Sequence, residues 1–258
     1  MSKDHRKYKN LPGKRADHND CLADVKRFFT TGCGRSGNTL LHFLCDTGFK
    51  NTFKTNDEHV PTEPLTELGV PIEENLEWIL FKDPKYIATD PVPEEVRLRE
   101  FLALLDNHPV YAACMMRDPR GALLSRNPMY RPHIYQNQPS FWIRAAKAIQ
   151  QLRFHKKVIV LRYEDLLGNP DYIQQQMMYK FGFKLRLPFS RCWKEFDKND
   201  SGSIKAMHGA RPIDPSRAKP WKIALRENRD HLRRMFAQKP EMVPLMESFG
   251  YVFDGFGD

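Results

Sequence analysis

The chain has 258 residues, enough for one domain with a long insertion or for two small ones. Its 41 Lys and Arg against 32 Asp and Glu give a net charge of +9, and 41% apolar with 28% charged residues exclude a collagen-like, membrane-spanning or wholly disordered chain. No run approaches the ~20 uninterrupted apolar residues of a bilayer crossing, the N-terminal stretch carries charges where a secretory signal is apolar, and the five cysteines form no C-x-x-C pair, so a soluble cytoplasmic protein is expected.

Residues 1–24 are polar, basic and without apolar periodicity, and read as a flexible arm ahead of a single domain over 25–258. Val25 to Thr31 is a short aromatic and β-branched run that ends in Gly32, the pattern of a buried strand feeding a glycine turn. Leu40, Leu41, Phe43 and Leu44, with Gly48 as a stop, predict a helix of about three turns. Further short apolar runs at Trp78 to Phe81, Val110 to Met116 and Val158 to Tyr163 read as buried parallel strands. Phe141, Ala145, Ala148 and Leu152 share one helical face, as do Trp221, Leu225, Leu232 and Phe236. Strands alternating with helices predict a three-layer, P-loop-type α/β fold with a central parallel sheet flanked by helices. Residues 186–220, rich in Pro, Gly, Ser and charge, read as a long lid-like loop.

Gly32-Cys33-Gly34-Arg35-Ser36-Gly37-Asn38-Thr39 lies between the first strand and the first helix, where successive backbone N–H groups and the helix dipole make an anion cradle. It matches the Walker pattern G-x-x-x-x-G-K-[ST] at every fixed position except the lysine, which is Asn38. Without that lysine the charge on β- and γ-phosphates is missing, while Arg35 offers a fork of donors and Thr39 a hydroxyl. A site for a 5′-phosphate survives, and hydrolysis of a nucleoside triphosphate is disfavoured. A glycine turn without a ligand is the alternative. Downstream, Arg117 in Arg117-Asp118-Pro119 ends a predicted strand, and Ser125, eight residues on, falls two turns into the following helix, so that the two can converge on one phosphate.

The stretch GCGRSGNTLL resembles the 5′-phosphosulfate loop of sulfotransferases that use 3′-phosphoadenosine 5′-phosphosulfate (PAPS) and release adenosine 3′,5′-bisphosphate (PAP). An arginine before Ser-Gly is similar to the carbohydrate and tyrosylprotein branches, where the cytosolic branch has lysine. Leu40 stands where the cytosolic branch carries a tryptophan that stacks on adenine. The R-D-P stretch with Ser125 resembles the family's 3′-phosphate motif, and Arg162-Tyr163-Glu164-Asp165-Leu166 with Asn169-Pro170 its R-Y-E-D-L core, so the resemblance covers most of residues 25–252.

The resemblance implies cofactor contacts from Gly34, Arg35, Ser36, Gly37, Asn38 and Thr39, from Arg117 and Ser125 at the 3′-phosphate, and from Tyr163 at the adenine. Arg217 and Lys219 are a looser match to basic residues near the 3′-phosphate. Read without the resemblance, Arg162, Glu164 and Asp165 simply cap a helix and pair on the surface.

In-line transfer of a sulfuryl group needs charge on the leaving oxygens and a base for the acceptor proton, and no metal. Arg35 and Lys82, the latter in a Lys-Asp-Pro stretch similar to that of tyrosylprotein sulfotransferases, are the candidates for the charge. Glu58, with His59 beside it, matches the spacing of the family's catalytic glutamate, and either can take the proton.

Residues 57–95 hold eleven acids against two bases, a local charge of −9, leaving 39 bases against 21 acids elsewhere, or +18. That acidic wall predicts a small basic acceptor such as an amine- or guanidinium-bearing alcohol. A solvated acidic helix from Glu73 to Trp78 accounts for the same charges. The competing functions are a P-loop kinase or NTPase, a carbohydrate sulfotransferase, and a nucleic-acid-binding protein, the last without any recognised nucleic-acid module.

Overall fold

The computed structural model describes residues 25–55, 70, 75–83, 86–88, 94–125, 137–196, 204, 207, 209–218 and 221–255, with residues 88, 94, 218 and 221–227 described by their backbone alone. Five strands form one sheet: β1 (Lys26–Gly32), β2 (Thr52–Lys54), β3 (Trp78–Lys82), β4 (Val110–Met116) and β5 (Val158–Arg162). They lie in the order β2-β3-β1-β4-β5 and every pairing is parallel. The register sets Phe28 between Leu80 and Tyr111, and Thr31 beside Cys114, which in turn faces Val160.

Helices cover both faces: α1 (Asn38–Gly48), α2 (Glu94–Asn107), the short α3 (Pro119–Leu123), α4 (Pro139–Leu152), α5 (Tyr163–Gly168), α6 (Pro170–Phe181), α7 (Trp221–Gln238) and α8 (Met242–Ser248). The α/β architecture expected from the sequence is the one found.

The strands are apolar throughout because each buries both faces, and the two-residue period of a strand sorts their side chains. Phe29, Ile79, Phe81, Ala112, Cys114 and Met116 point into the layer formed with α2, α4, α7 and α8. Phe28, Trp78, Leu80, Ala113 and Met115 point the other way, towards α1 and α6. Phe28 is fully buried and meets Trp78, Phe181 and Phe183 edge-on, each pair a favourable aromatic geometry.

One local expectation differs from the structure, and two stretches carry structure that the sequence does not signal. β2 has only three residues and no apolar run, and pairing with β3 at Thr52↔Trp78 makes it a strand. Asn75 to Glu77 are not helical and Trp78 opens β3, so no acidic helix extends to Trp78; Glu77 instead accepts from Asn51 Nδ2 at 2.8 Å and pairs with Lys184.

The stretch read as a loop over 186–220 contains two 3₁₀ turns, Phe189–Lys194 and Pro215–Ala218. Phe189, Cys192 and Phe196 are buried in the α1/α6 layer. Gln174 fastens the first turn by donating to the carbonyls of Gly48 (3.1 Å) and Leu187 (2.8 Å) and accepting from Phe189 N–H (3.0 Å). Phe189 and Cys192, three residues apart, fall on one side of the 3₁₀ turn.

Among the described residues no helix is long and apolar enough to cross a membrane, and no group of three or more His, Cys, Asp or Glu could hold a metal ion.

Candidate functional site

In a parallel sheet all strands end on the same edge, and a ligand crevice forms there where successive connections run to opposite sides. Here that point is the boundary between β1 and β4, since α1 leads from β1 towards β2 while β4 lies on the other flank. The loop after β1 and the Arg117 stretch after β4 therefore open side by side.

The loop is built around close approaches. Gly32 (φ +139°) runs so near β4 that a Cβ there would fall 2.2 Å from the Met115 carbonyl oxygen, and Gly37 (φ +92°) faces the Tyr163 ring, which would stand 2.5 Å from an added Cβ. Arg35 itself adopts a left-handed conformation at φ +65°, unusual for a residue with a Cβ.

Inside the loop, Ser36 Oγ donates to the Cys33 carbonyl, and Asn38 Nδ2 donates to the same carbonyl at 3.3 Å and to Ser36 Oγ at 3.2 Å. Both side chains are buried, so Ser36 and Asn38 brace the loop from within, and Asn38 holds the turn where a lysine would present a charge. Gly34 and Thr39 are half-buried, Thr39 in the first turn of α1. Burial pushes the Cys33 thiol up to about 12, which keeps it protonated and unreactive.

Arg35 Nε donates to Ser125 Oγ at 3.1 Å, and Arg117 Nη1 donates to the Arg35 carbonyl at 2.9 Å. The structure thus brings together three residues expected at the site from three different places in the sequence. Ser125 is not two turns into a helix, however: α3 ends at Leu123, and Ser125 follows it, its N–H bonded to the Ala122 carbonyl at 3.3 Å.

The Arg117 guanidinium sits 4.5 Å from the centre of the Tyr163 ring, so Tyr163 touches both the loop glycine and the arginine. Arg117 is buried, and its Nε finds no acceptor among the described residues. Burial, and then the Arg117 charge, lower the pKa of Arg35. Two crowded guanidiniums and an unanswered buried donor favour an anion.

Lys82 closes β3, paired with Thr30 two residues before Gly32, and is buried at the same edge of the sheet. The carbonyls before it are held by Thr30 Oγ1 to Phe81 (3.2 Å), and by His42 Nε2 and Thr55 Oγ1 to Leu80 (3.1 Å each). Arg217 is half-buried in the Pro215–Ala218 turn, which packs on α5, the helix that Tyr163 begins. Glu58, His59 and Lys219 lie outside the described residues.

Asn137 escaped sequence reasoning. Its buried Nδ2 lies against the Gly34 carbonyl, the Cys33 Sγ at 3.7 Å and the Ala122 carbonyl at 3.4 Å, tying the glycine loop to α3. A single Asn outside any motif carries no signal of such a role. In the R-Y-E-D-L stretch, Arg162 makes a two-pronged pair with Asp165, 2.7 Å on each arm, which is the surface pairing read from the sequence. Glu164 is turned inward, accepting from the Asp118 N–H at 3.1 Å and from the Tyr251 hydroxyl at 3.0 Å.

No protein-family model matches the chain, and no curated protein matches it. Among solved structures, the sulfotransferase domain of the Synechococcus PCC 7002 olefin synthase superposes with a TM-score of 0.56 over 89% of this chain and 96% of that domain, at 15% sequence identity. The sulfotransferase domain from the curacin biosynthetic pathway (TM-score 0.48, 16% identity, 77% of this chain and 90% of that one) is similar at a lower level. So is retinol dehydratase in complex with androsterone and the inactive cofactor PAP (0.39, 15%, 81% and 83%). The chain has the fold of a sulfotransferase domain.

Proposed function

We propose that the protein is a PAPS-dependent sulfotransferase that moves a sulfuryl group to a hydroxyl or amine of a small acceptor. The observation that carries this reading is the convergence of Arg35, Ser125 and Arg117 beside a glycine loop at the carboxyl edge of the sheet. The unpartnered buried Arg117 Nε, beside the crowded Arg35 guanidinium, fits a phosphorylated nucleotide.

PAPS, when bound, supplies the activated sulfuryl group on a phosphate leaving group. Gly34, Arg35, Ser36, Gly37, Asn38 and Thr39 would hold its 5′ end through the loop's backbone donors and the start of α1. Arg117 and Ser125, with Arg217 and Lys219, would hold the 3′-phosphate, and Tyr163 the adenine. Arg35 and Lys82 would neutralise charge on the leaving oxygens. Glu58 or His59 would accept the acceptor's proton. The acidic composition of residues 57–95 favours an amine- or guanidinium-bearing acceptor over an anionic sugar.

A P-loop kinase or NTPase is disfavoured because Asn38 is committed to bracing the loop and offers no charge to a triphosphate. Calorimetric titration with PAP and with ATP plus magnesium separates the two: tight PAP binding with weak ATP binding is expected, and the reverse order would overturn the reading.

A further inference from the structure

The peptide unit that joins Arg117 to Asp118 is gripped from both sides by side chains. Its carbonyl accepts from Trp142 Nε1 at 2.9 Å, and its N–H donates to Glu164 Oε1 at 3.1 Å. Trp142 comes from α4 and Glu164 from the first turn of α5, so two helices fix the plane of the peptide out of which the Arg117 side chain leaves β4. The second carboxylate oxygen of Glu164 accepts from the Tyr251 hydroxyl at 3.0 Å.

Tyr251 lies in the segment after α8, and its backbone is held on both sides. Arg162 Nη1 donates to the Gly250 carbonyl at 3.2 Å, and Arg120 Nη2 to the Val252 carbonyl at 3.0 Å. Arg120 also pairs with Asp118 at 2.8 Å and with Asp254 at 2.6 Å. The C-terminal segment is thus stapled to the same Asp118 whose N–H Glu164 holds. Tyr251 is 7% exposed, so water does not replace these partners freely.

We propose that Glu164 and Tyr251 are positioning residues for Arg117, and that the C-terminal segment 250–254 is part of the scaffold of the anion site. The inference deepens the proposed function and rests on it. A buried carboxylate with one donor per oxygen holds those donors more firmly than a neutral acceptor does. Removing the tyrosine hydroxyl leaves one oxygen without its partner and frees the carboxylate to rotate away from Asp118. The Arg117 guanidinium, whose place depends on that peptide, then loses its fixed aim towards Arg35 and Tyr163.

The test uses the full chain, with PAP as the titrant in calorimetry and amide hydrogen exchange at Asp118 read without nucleotide. Tyr251→Phe is expected to weaken PAP binding about tenfold, and Glu164→Gln by at least as much, for loss of a hydrogen bond to a charged group. Exchange at the Asp118 amide should quicken in Glu164→Gln. In an Arg117→Ala background, Tyr251→Phe should cost nothing further, because its effect runs through Arg117. Unchanged PAP affinity in Tyr251→Phe, a full additional loss in the Arg117→Ala background, or unchanged exchange at Asp118 each overturns the positioning role. Failure of the unmutated protein to bind PAP overturns the nucleotide reading itself.

Discussion

Arg35 and Ser125, ninety positions apart in sequence, share a hydrogen bond of 3.1 Å from the guanidinium Nε to the hydroxyl oxygen. The contact exists because β4 is the sheet neighbour of β1, so the loop after one strand meets the turn after the other. It links the two halves of the proposed nucleotide site directly.

Arg35→Ala should weaken PAP binding by about two orders of magnitude, and Ser125→Ala by roughly five- to tenfold, the difference between losing a charged fork and one hydroxyl. Because the two side chains touch, their effects should not add, with a coupling of about 0.5–3 kcal/mol in a double-mutant cycle measured by calorimetry. Strict additivity would show that the two groups act at separate places.

Gly32 and Gly37 differ from Gly182 in what surrounds them. All three have positive φ, but nothing lies within 4 Å of a Cβ placed on Gly182. Gly182→Ala should therefore cost only the left-handed backbone penalty of about 1–2 kcal/mol in urea unfolding. Gly32→Ala must also displace β4 backbone and should cost about 3 kcal/mol or more. Gly37→Ala pushes on Tyr163, and PAP affinity should fall beyond what its stability loss explains. Equal costs for Gly32→Ala and Gly182→Ala would contradict the packing described here.

Burial raises the pKa of Glu164, against the weaker opposing pull of its backbone donors, the Tyr251 hydroxyl and the Arg117 charge. A folded-state pKa above the unfolded value means that the folded protein binds the proton more readily. Stability from this group is fully present below the ordinary carboxylate pKa of about 4.3 and is lost as pH rises through the raised value. Melting temperature against pH should therefore fall less steeply for Glu164→Gln than for the unmutated protein across that window. Parallel curves would mean that Glu164 titrates as an ordinary surface carboxylate.

Glu58→Gln should reduce turnover by ~10²-fold or more while PAP binding stays intact, as expected for loss of a general base. Unchanged turnover there, with a loss in His59→Ala, would move the role to His59. Across an acceptor panel, cationic alcohols should react best and their KM should rise with salt. Preference for anionic sugars with rates insensitive to salt would remove the basis for a cationic acceptor.

The sequence by itself determined the elements whose signal is local. The apolar runs became β1, β3, β4 and β5 within about a residue of their expected ends, and the glycine loop lies between β1 and α1 as expected, because backbone sterics and side-chain period act over a few neighbouring residues. Only the tertiary structure decided which of those elements are neighbours. The strand order put Arg35 against both Arg117 and Ser125, and it turned Glu164 from a surface cap into a buried clamp on Asp118. It also made Asn137 a brace for Gly34 and drew Phe189 and Cys192 into the core. A hydrogen bond or a buried contact between distant residues depends on how the strands are ordered and the helices laid across them, and no periodicity along the chain encodes that order.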